Sequence, residues 1–575
     1  MKRRVAIAAF LVLALAYPFV ARGSYPLGVG IITGALAAGT VGFVLLLGYA
    51  HQLALGQAGF CMVGGYASAI LCVQHKWDPL LALVVGAVAA MLLAWAIAAP
   101  ILKLRGFVLA MASLALHLIL VVVALEASFT GGALGTYGVP KFALLGVPLA
   151  SDLAYYYLVW AIVLAFVLIG LAIDGSRIGR ALKAIAASET AALSTGIDIR
   201  RYKVQMFVLS AGMASVCGSL AVHYLRAMDP NVFGFAFSLN FITAVIVGGL
   251  ETVWGGVVGA ALVTGLRELL RGLSLPLWEG VIMGALTVLV LIAFRRGFVG
   301  FLAALYDRMA GGEAPARVLV SEPQTAALAP RGKPAELVLA GVSRAFGNLR
   351  AVSNVGFSVA AGSITALIGP NGAGKTTLFN LVCGYEPLDA GSVSYDGQRI
   401  ERRLPNQIAG LGIGRTFQNL QLFGNLSVLE NVMCGRHRFV EREAANRERA
   451  RAALAFVGLR NAEALAPGAL SFGHQRLVEM ARALALEPWL LLLDEPASGL
   501  NDAETERLAE LVLRIAALGV TVLLVEHDMR LVMGLADHLV VMHHGEKLAD
   551  GAPDDVRREP AVIDAYLGIE EHAAA

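Results

Sequence analysis

Roughly the first three hundred residues of this 575-residue chain contain very few charged side chains. Between Val5 and Leu102 only Arg22, Lys76 and Asp78 carry a formal charge, whereas charges recur every few residues after Glu336. Over the whole chain 15% of residues are charged, against about 25% in soluble proteins. A chain of this length is too long for one core. The composition therefore predicts an α-helical polytopic membrane domain followed by a separate soluble domain.

The apolar half contains runs long enough to cross a bilayer, which takes about twenty residues as a helix. We predict about eight to ten spans, because the short runs within 236–271 are also consistent with half-helices or re-entrant segments. The ten candidates are 5–21, 27–49, 53–73, 80–102, 106–125, 154–173, 204–225, 236–250, 255–271 and 278–294. Basic residues concentrate in the predicted inner loops. We therefore expect a multi-pass inner-membrane protein whose N-terminus and soluble half face the cytoplasm.

The N-terminus, the overall charge and the cysteines can each be compared with the patterns of other protein classes. Met1–Arg4 followed by the apolar Val5–Val20 is typical of a signal peptide, but a poor cleavage site follows, which favours a retained first span. The net charge of +3 is nearly balanced and gives no indication of nucleic-acid binding. The five cysteines show no metal-ligand spacing, so we predict that they are packing residues.

The soluble half contains a phosphate-binding loop, G-P-N-G-A-G-K-T, at residues 369–376. It matches the Walker A pattern and lies between a predicted buried strand and a predicted helix. Glycines let the backbone N–H groups approach phosphates, lysine reaches the β- and γ-phosphates, and a hydroxyl ligates Mg²⁺. The loop predicts binding of ATP and Mg²⁺ by Gly369, Asn371, Gly372, Gly374, Lys375, Thr376 and Thr377.

A second nucleotide motif, of the Walker B type, begins at Leu490, where four leucines precede Asp494 and Glu495. The apolar run predicts a buried strand with Asp494 at its tip, where a carboxylate can hold the Mg²⁺ shell. Glu495 is placed to polarise the attacking water as a general base. Together the two motifs predict an ATP hydrolase with an α/β P-loop fold.

With these two motifs, residues 336–570 resemble the ATP-binding-cassette family. Leu470–Gln475 is similar to the family signature, with Ser471, Gly473 and Gln475 at or near the expected positions and Phe472 replacing a glycine. In this family the signature contacts nucleotide held by the opposing subunit. Gln418 resembles the Q-loop glutamine that senses Mg²⁺, and His527 resembles the switch histidine near the γ-phosphate. Phe346 occupies the position of the aromatic residue that stacks on adenine.

Some of these residues have a simpler interpretation. A histidine at the end of a strand is often structural, and Phe346 can be a core aromatic. The spacing of His527 after the Walker B motif favours the switch role. Two family motifs are also altered in this sequence. In the D-loop motif Asn501 replaces the usual aspartate, and Leu470–Gln475 differs from the usual signature L-S-G-G-Q.

The predicted inner loop at 174–203 helps to decide whether the chain resembles an importer or an exporter of this family. Exporter half-transporters have long charged helical extensions, whereas the other predicted inner loops here are short. Residues 174–203 resemble the coupling loop of importers, with Glu189, Ala191 and Gly196 at characteristic positions. A short amphipathic helix there would dock near Gln418. The alternative is a basic amphipathic loop on the membrane surface.

Both halves resemble the same transport family. Several stretches are similar to permease subunits of branched-chain amino acid importers of the Liv type, namely residues 48–60, 104–107, 130–132 with 138–140, and 247–249 with 254–256. Residues 551–568 resemble the end of the matching ATPase subunit. We predict a permease domain at 1–307, a linker at 308–335 and a nucleotide-binding domain at 336–570. The resemblance implies a fused permease and ATP-binding component.

The resemblance also implies partners. They are a second Liv-type permease, a second ATPase subunit and a soluble substrate-binding protein, although a second copy of this chain also satisfies the geometry. Branched-chain amino acids are the expected solutes, with urea, amides or aromatic acids as alternatives. An exporter half-transporter and a membrane-tethered regulatory ATPase remain as other hypotheses.

Overall fold

A computed structural model describes residues 2–21, 23–104, 106–149, 151–274, 278–294, 296–309 and 334–565. The chain divides into two compact units, one of residues 1–182 with 200–314 and the other of residues 183–199 with 315–575. Most of the predicted linker at 308–335 and the end of the predicted domain at 336–570 lie outside the described residues.

Helices coincide with all ten predicted apolar segments. A π-helical turn at Leu45–Tyr49 continues α2, and short β-strand pairs lie in the loops. The helices are α1 Lys2–Val20, α2 Ser24–Val44, α3 Gln57–Val73, α4 Pro79–Ile101, α5 Gly106–Glu126, α6 Asp152–Asp174, α7 Arg177–Ala187, α8 Glu189–Ser194, α9 Ile199–Leu225, α10 Phe235–Gly248, α11 Trp254–Gly272, α12 Glu279–Ala293 and α13 Gly297–Met309. The strands are β1 Thr136–Tyr137, β2 Ala143–Leu144, β3 Val147–Pro148 and β4 Ala227–Met228. The prediction of an α-helical polytopic first half is confirmed.

The number of membrane crossings follows from helix length. Within the described ranges, 5 helices are long and apolar enough to cross a membrane, or 6 if α12 and α13, bent by 43°, count as one span. Helix α10 has 14 residues and rises only about 21 Å, less than the ~30 Å of hydrocarbon. The expectation that segments within 236–271 are shorter than full spans agrees with this length, and the total of eight to ten crossings stays a prediction.

Glycines bring the central helices of this unit close together. Helix α2 packs against α6 and α11, and the Thr40 hydroxyl donates to the carbonyl oxygen of Gly256 at 2.9 Å. Helices α10 and α11 pack so closely that a Cβ atom at Gly248 or Gly259 would overlap backbone atoms of the facing helix. Small residues permit such backbone contact between membrane helices.

The second unit contains an α/β domain with two sheets. The strands are β5 Leu337–Phe346, β6 Leu349–Val359, β7 Ile364–Ile368, β8 Ala390–Tyr395, β9 Gln398–Arg399, β10 Ile413–Arg415, β11 Leu490–Asp494, β12 Thr521–Val525, β13 His538–His543 and β14 Glu546–Gly551. The helices are α14 Lys375–Val382, α15 Pro405–Gly410, α16 Val428–Gly435, α17 Glu443–Phe456, α18 Phe472–Ala485, α19 Asp502–Ala517, α20 Met529–Leu535 and α21 Pro553–Val556. This alternation of strands and helices confirms the predicted α/β class.

The larger sheet has the order β10-β11-β12-β7-β13-β14 and is parallel except for its pair with β14. Strands β7, β11 and β12 are buried along their whole length, as expected for continuous apolar runs in a parallel sheet. Asp494 is in register with Val525, and Val525 with Leu367. The loops that follow these three strands therefore meet at one edge of the sheet.

The five cysteines are free thiols and all are buried, which confirms their predicted packing role.

Candidate nucleotide-binding site

The phosphate-binding loop joins strand β7 to helix α14, as the motif predicts. Gly369, Gly372 and Gly374 have φ values of 150°, 83° and 96°, which side chains rarely adopt. A Cβ atom at Gly374 would also overlap the carbonyl oxygen of Ala351. The loop therefore requires glycine at this position both for its backbone conformation and for space.

Lys375 is folded across this loop. Its ammonium group donates to the carbonyl oxygens of Gly369 at 2.7 Å and Pro370 at 3.0 Å. Burial lowers the pKa of Lys375, and the nearby carboxylates of Glu495 and Asp494 oppose this shift. The ammonium thus lies against the loop and within electrostatic reach of Glu495 and Asp494, where it can meet phosphate oxygens.

Asp494 ends strand β11 and is buried beside Arg415. One oxygen, Oδ2, accepts from the Arg415 guanidinium at 3.0 Å, whereas Oδ1 is buried and accepts no hydrogen bond from the described residues. Burial raises the pKa of Asp494, and Arg415 partly offsets the increase. A buried acceptor without a partner fits a carboxylate that holds the hydrated shell of Mg²⁺. The residues present therefore fit a nucleotide with its magnesium ion.

Glu495 lies where three sheet loops converge. Its backbone has a φ of 46° and its N–H donates to the carbonyl oxygen of Val525 at 2.9 Å, so the positive φ is held by the adjacent strand. Its Oε2 accepts from the Gln418 amide at 2.9 Å and lies 3.9 Å from Nδ1 of His527. Strained backbone of this kind is often found at functional sites.

Glu526 is a residue of the site that the sequence analysis did not select. It is fully buried, and its carboxylate accepts from the backbone N–H groups of Ala497 at 2.8 Å and His527 at 3.2 Å. Burial raises its pKa, while these two hydrogen bonds oppose the increase. Glu526 therefore ties the loop after Glu495 to the loop that carries His527. A charged residue directly after the apolar strand β12 was the available signal.

A cavity of about 970 Å³ gathers many of these residues. From the predicted set it is lined by Gly369, Asn371, Gly372, Gln418, Glu495 and His527. His543 and His544 at the end of β13, and Asp564 near the C-terminal end, line it as well and were not predicted. Folding thus brings the phosphate loop, the Walker B glutamate, the Q-loop and the switch position to one cavity.

The signature residues do not line this cavity. Ser471 is the N-cap of α18 and accepts from the N–H of His474, and the Gln475 amide donates to the carbonyl oxygen of Leu470 at 2.9 Å. A Cβ atom at Gly473 would overlap the carboxylate of Glu504 on α19. Within the described residues, the signature therefore forms a surface separate from the nucleotide cavity of its own domain.

Phe346 also lies away from the cavity lining. The residue is 44% exposed, so it is not a core aromatic. The Arg344 guanidinium lies 4.8 Å from the ring centroid. Adenine stacking by Phe346 stays a prediction.

The Q-loop backbone is anchored to α18 by buried charges. Arg476 donates to the carbonyl oxygens of Phe417 at 2.7 Å and Gln418 at 2.9 Å, and Arg482 donates to that of Gln421 at 2.6 Å. Glu479, which is fully buried, accepts from both arginines. Burial raises the pKa of Glu479 and the two arginines oppose the increase. The helix that begins at the signature thus holds the loop that carries Gln418.

Residues 183–199 belong to the same compact unit as these loops. Ser188 Oγ donates to the Gln421 side chain at 2.8 Å, the Tyr385 hydroxyl donates to the carbonyl oxygen of Thr190 at 2.8 Å, and the Asn425 amide donates to that of Lys183 at 2.9 Å. Ser188 also caps the short helix α8. The predicted docking of this segment near the Q-loop is therefore observed, at Gln421 rather than at Gln418 itself.

Comparison with known proteins covers both halves. Family models described as "Branched-chain amino acid transport system / permease component", "ABC transporter" and "Branched-chain amino acid ATP-binding cassette transporter" match residues 25–291, 352–498 and 546–572. The branched-chain amino acid transport ATP-binding protein BraF of Pseudomonas aeruginosa is 40% identical over 40% of this chain and 97% of its own length. LivG of Escherichia coli K12 is 38% identical over 40% of this chain and 96% of its own length.

A crystal structure of an ATP-binding cassette in its ADP conformation matches 41% of this chain and 99% of that chain, with 32% identity and a TM-score of 0.38. The family models and the relatives show that the first unit carries a permease domain and the second an ATP-hydrolysing cassette. The chain belongs to the branched-chain amino acid ATP-binding cassette transporter family, with permease and ATP-binding parts joined in one polypeptide.

Proposed function

We propose that this chain couples ATP hydrolysis to the uptake of a branched-chain amino acid or a closely related small solute. The observation that carries the proposal is the contact of residues 188–190 with Gln421 and Tyr385. The loop that holds Gln421 also holds Gln418, which bonds Glu495. A segment from the permease part of the sequence is thus joined to the loop that contacts Glu495, the general base for ATP hydrolysis in this proposal.

The proposed roles follow from the geometry of the cavity. Glu495 acts as general base for the attacking water, with Gln418 and His527 orienting its carboxylate and the γ-phosphate. Lys375 and the N–H groups of Gly372 and Gly374 hold the phosphates. Thr376, Gln418 and Asp494 would hold Mg²⁺, which neutralises phosphate charge when it is bound. The remaining nucleotide contacts are assigned to Asn371, Thr377 and Phe346.

The separation of the signature from the cavity supports a composite site. We assign Ser471, Gly473 and Gln475 to nucleotide held by a second cassette, so one chain supplies half of each site. The partners would be a second permease, a second ATPase and a soluble binding protein, or a second copy of this chain. We place the permease at 1–307 and the cassette at 336–570, with the cassette and N-terminus in the cytoplasm of an inner-membrane protein.

Uptake of radiolabelled leucine by cells that express this chain with its partners tests the proposal. Uptake should depend on the chain and be abolished by Glu495→Gln, whereas Glu506→Gln, an exposed position on α19, should leave it unchanged. ATP hydrolysis stimulated by urea, an amide or an aromatic acid but not by leucine would overturn the substrate assignment. Outward movement of solute without a binding protein would overturn the direction.

A further inference from the structure

Arg415 connects three parts of the cassette from a buried position. Its side chain is 4% exposed. One guanidinium nitrogen donates to the Asn380 side chain on α14 at 2.7 Å, and the other donates to Asp494 Oδ2 at 3.0 Å. Arg415 thus links the helix that follows the phosphate loop to the carboxylate at the tip of β11.

The same guanidinium also lies close to aromatic rings. Its central carbon lies 5.4 Å from the ring centroid of Tyr385 and 5.2 Å from that of Phe417. These distances are within the range of a cation–π interaction, which is stronger away from water. The Tyr385 hydroxyl donates in turn to the carbonyl oxygen of Thr190 at 2.8 Å. A continuous chain of contacts therefore runs from Asp494 through Arg415 and Tyr385 to helix α8.

The geometry of arginine makes this series of contacts stiff. The guanidinium is planar, so hydrogen bonds at its edge fix the plane against which the tyrosine ring packs. Its charge pairs with the buried Asp494, and separating the two would leave a carboxylate buried without its partner. A displacement of Asp494 must therefore carry the guanidinium, and with it the Tyr385 ring.

We propose that Arg415 is a positioning residue that transmits the state of the ATP site to helix α8, by holding Asp494 on one side and Tyr385 on the other. This route is separate from the exposed contact of Gln418 with Glu495. The inference rests on the proposed function only in giving α8 its role in transport; the physical link itself is independent of the solute.

Hydrogen–deuterium exchange of the full chain in detergent tests the link. We expect addition of a non-hydrolysable ATP analogue with Mg²⁺ to change the exchange rate of the peptide that covers residues 188–194 by roughly fivefold, the effect of strengthening or weakening one hydrogen bond such as that from Tyr385 to Thr190. Tyr385→Phe keeps the ring against Arg415 and removes only the hydroxyl. This variant should bind the analogue as wild type does but lose the change at 188–194.

Tyr395→Phe is the matched control, since Tyr395 is a buried tyrosine of the same domain whose hydroxyl has no hydrogen-bond partner among the described residues. It should behave as wild type. Arg415→Lys keeps the charge but not the planar fork, and should weaken the change at 188–194. If Tyr385→Phe and Tyr395→Phe respond identically to the analogue, the inference is wrong.

Transport measurements separate this inference from the proposed function. In the reconstituted complex, Tyr385→Phe should lower the amount of solute moved per ATP hydrolysed by roughly fivefold, with hydrolysis itself largely retained. Absence of solute uptake by the wild-type complex would refute the proposed function. The exchange experiment would still decide whether Arg415 and Tyr385 connect Asp494 to α8.

Discussion

At the residue scale, glycines determine where nucleotide phosphates can reach the backbone. Gly374 combines a φ of 96° with a position at which a Cβ atom would overlap the carbonyl oxygen of Ala351. A left-handed conformation costs about 1–2 kcal/mol for other residues, and the overlap adds to this cost. The phosphate loop can therefore pack against the strand that carries Ala351 only if residue 374 is glycine.

Gly374→Ala should weaken ATP binding by about tenfold or more, equivalent to ~1.4 kcal/mol, because the N–H groups of the loop would shift. Titration of the purified chain with a fluorescent ATP analogue measures this. The control is Gly534→Ala on α20, where a Cβ atom would meet nothing within 4 Å. Equal affinities in the two variants would contradict the steric argument.

Only some of the residues that build the nucleotide site could be predicted from the sequence. Gln418, Glu495 and His527 belong to recognisable motifs, and they converge in one cavity. Arg415 and Glu526 belong to no motif that requires them, because their roles come from partners distant in sequence: Arg415 bonds Asp494 and Glu526 bonds the backbone of Ala497.

At the element scale, the contact between α10 and α11 depends on the absence of side chains. A Cβ atom at Gly259 would overlap the carbonyl oxygen of Ala244 on α10. Gly265 lies on the same helix α11, yet a Cβ atom there would meet nothing within 4 Å. The two glycines therefore allow a comparison in which helix propensity is the same and only packing differs.

Gly259→Ala should lower the thermal unfolding midpoint of the detergent-solubilised chain, since the helices must separate to admit the methyl group. Overpacking of this kind costs about 1–3 kcal/mol. Gly265→Ala should be neutral or slightly stabilising, because alanine is the better helix former by about 1 kcal/mol. Thermal denaturation followed by circular dichroism distinguishes the two, and a larger loss for Gly265→Ala would refute the packing model.

At the scale of the whole molecule, the cassette displays its signature away from its own nucleotide cavity. Ser471 caps α18, and the lining of the cavity does not include it. If a second cassette completes each site, Ser471 should matter for hydrolysis in the assembled complex and not for nucleotide binding by the chain alone.

Ser471→Ala should leave nucleotide affinity of the isolated chain unchanged and reduce ATP hydrolysis by the complex about tenfold or more, as for loss of a transition-state contact. Ser427→Ala is the control: Ser427 is also a serine N-cap, on α16, so both variants lose about 1 kcal/mol of capping. Similar hydrolysis by the two variants would contradict a composite site.

Local patterns in the sequence determined the elements and the motifs. Continuous apolar runs and glycine spacing depend on neighbours along the chain, so the apolar helices, the buried strands β7, β11 and β12, and the phosphate loop were predictable. The tertiary structure decided what those patterns do not contain: the contacts of Ser188 and Thr190 with the cassette, the pairing of Arg415 with Asp494, and the close approach of Gly259 to Ala244. Each joins groups on different helices, strands or loops, and their distances follow only from packing of the complete fold.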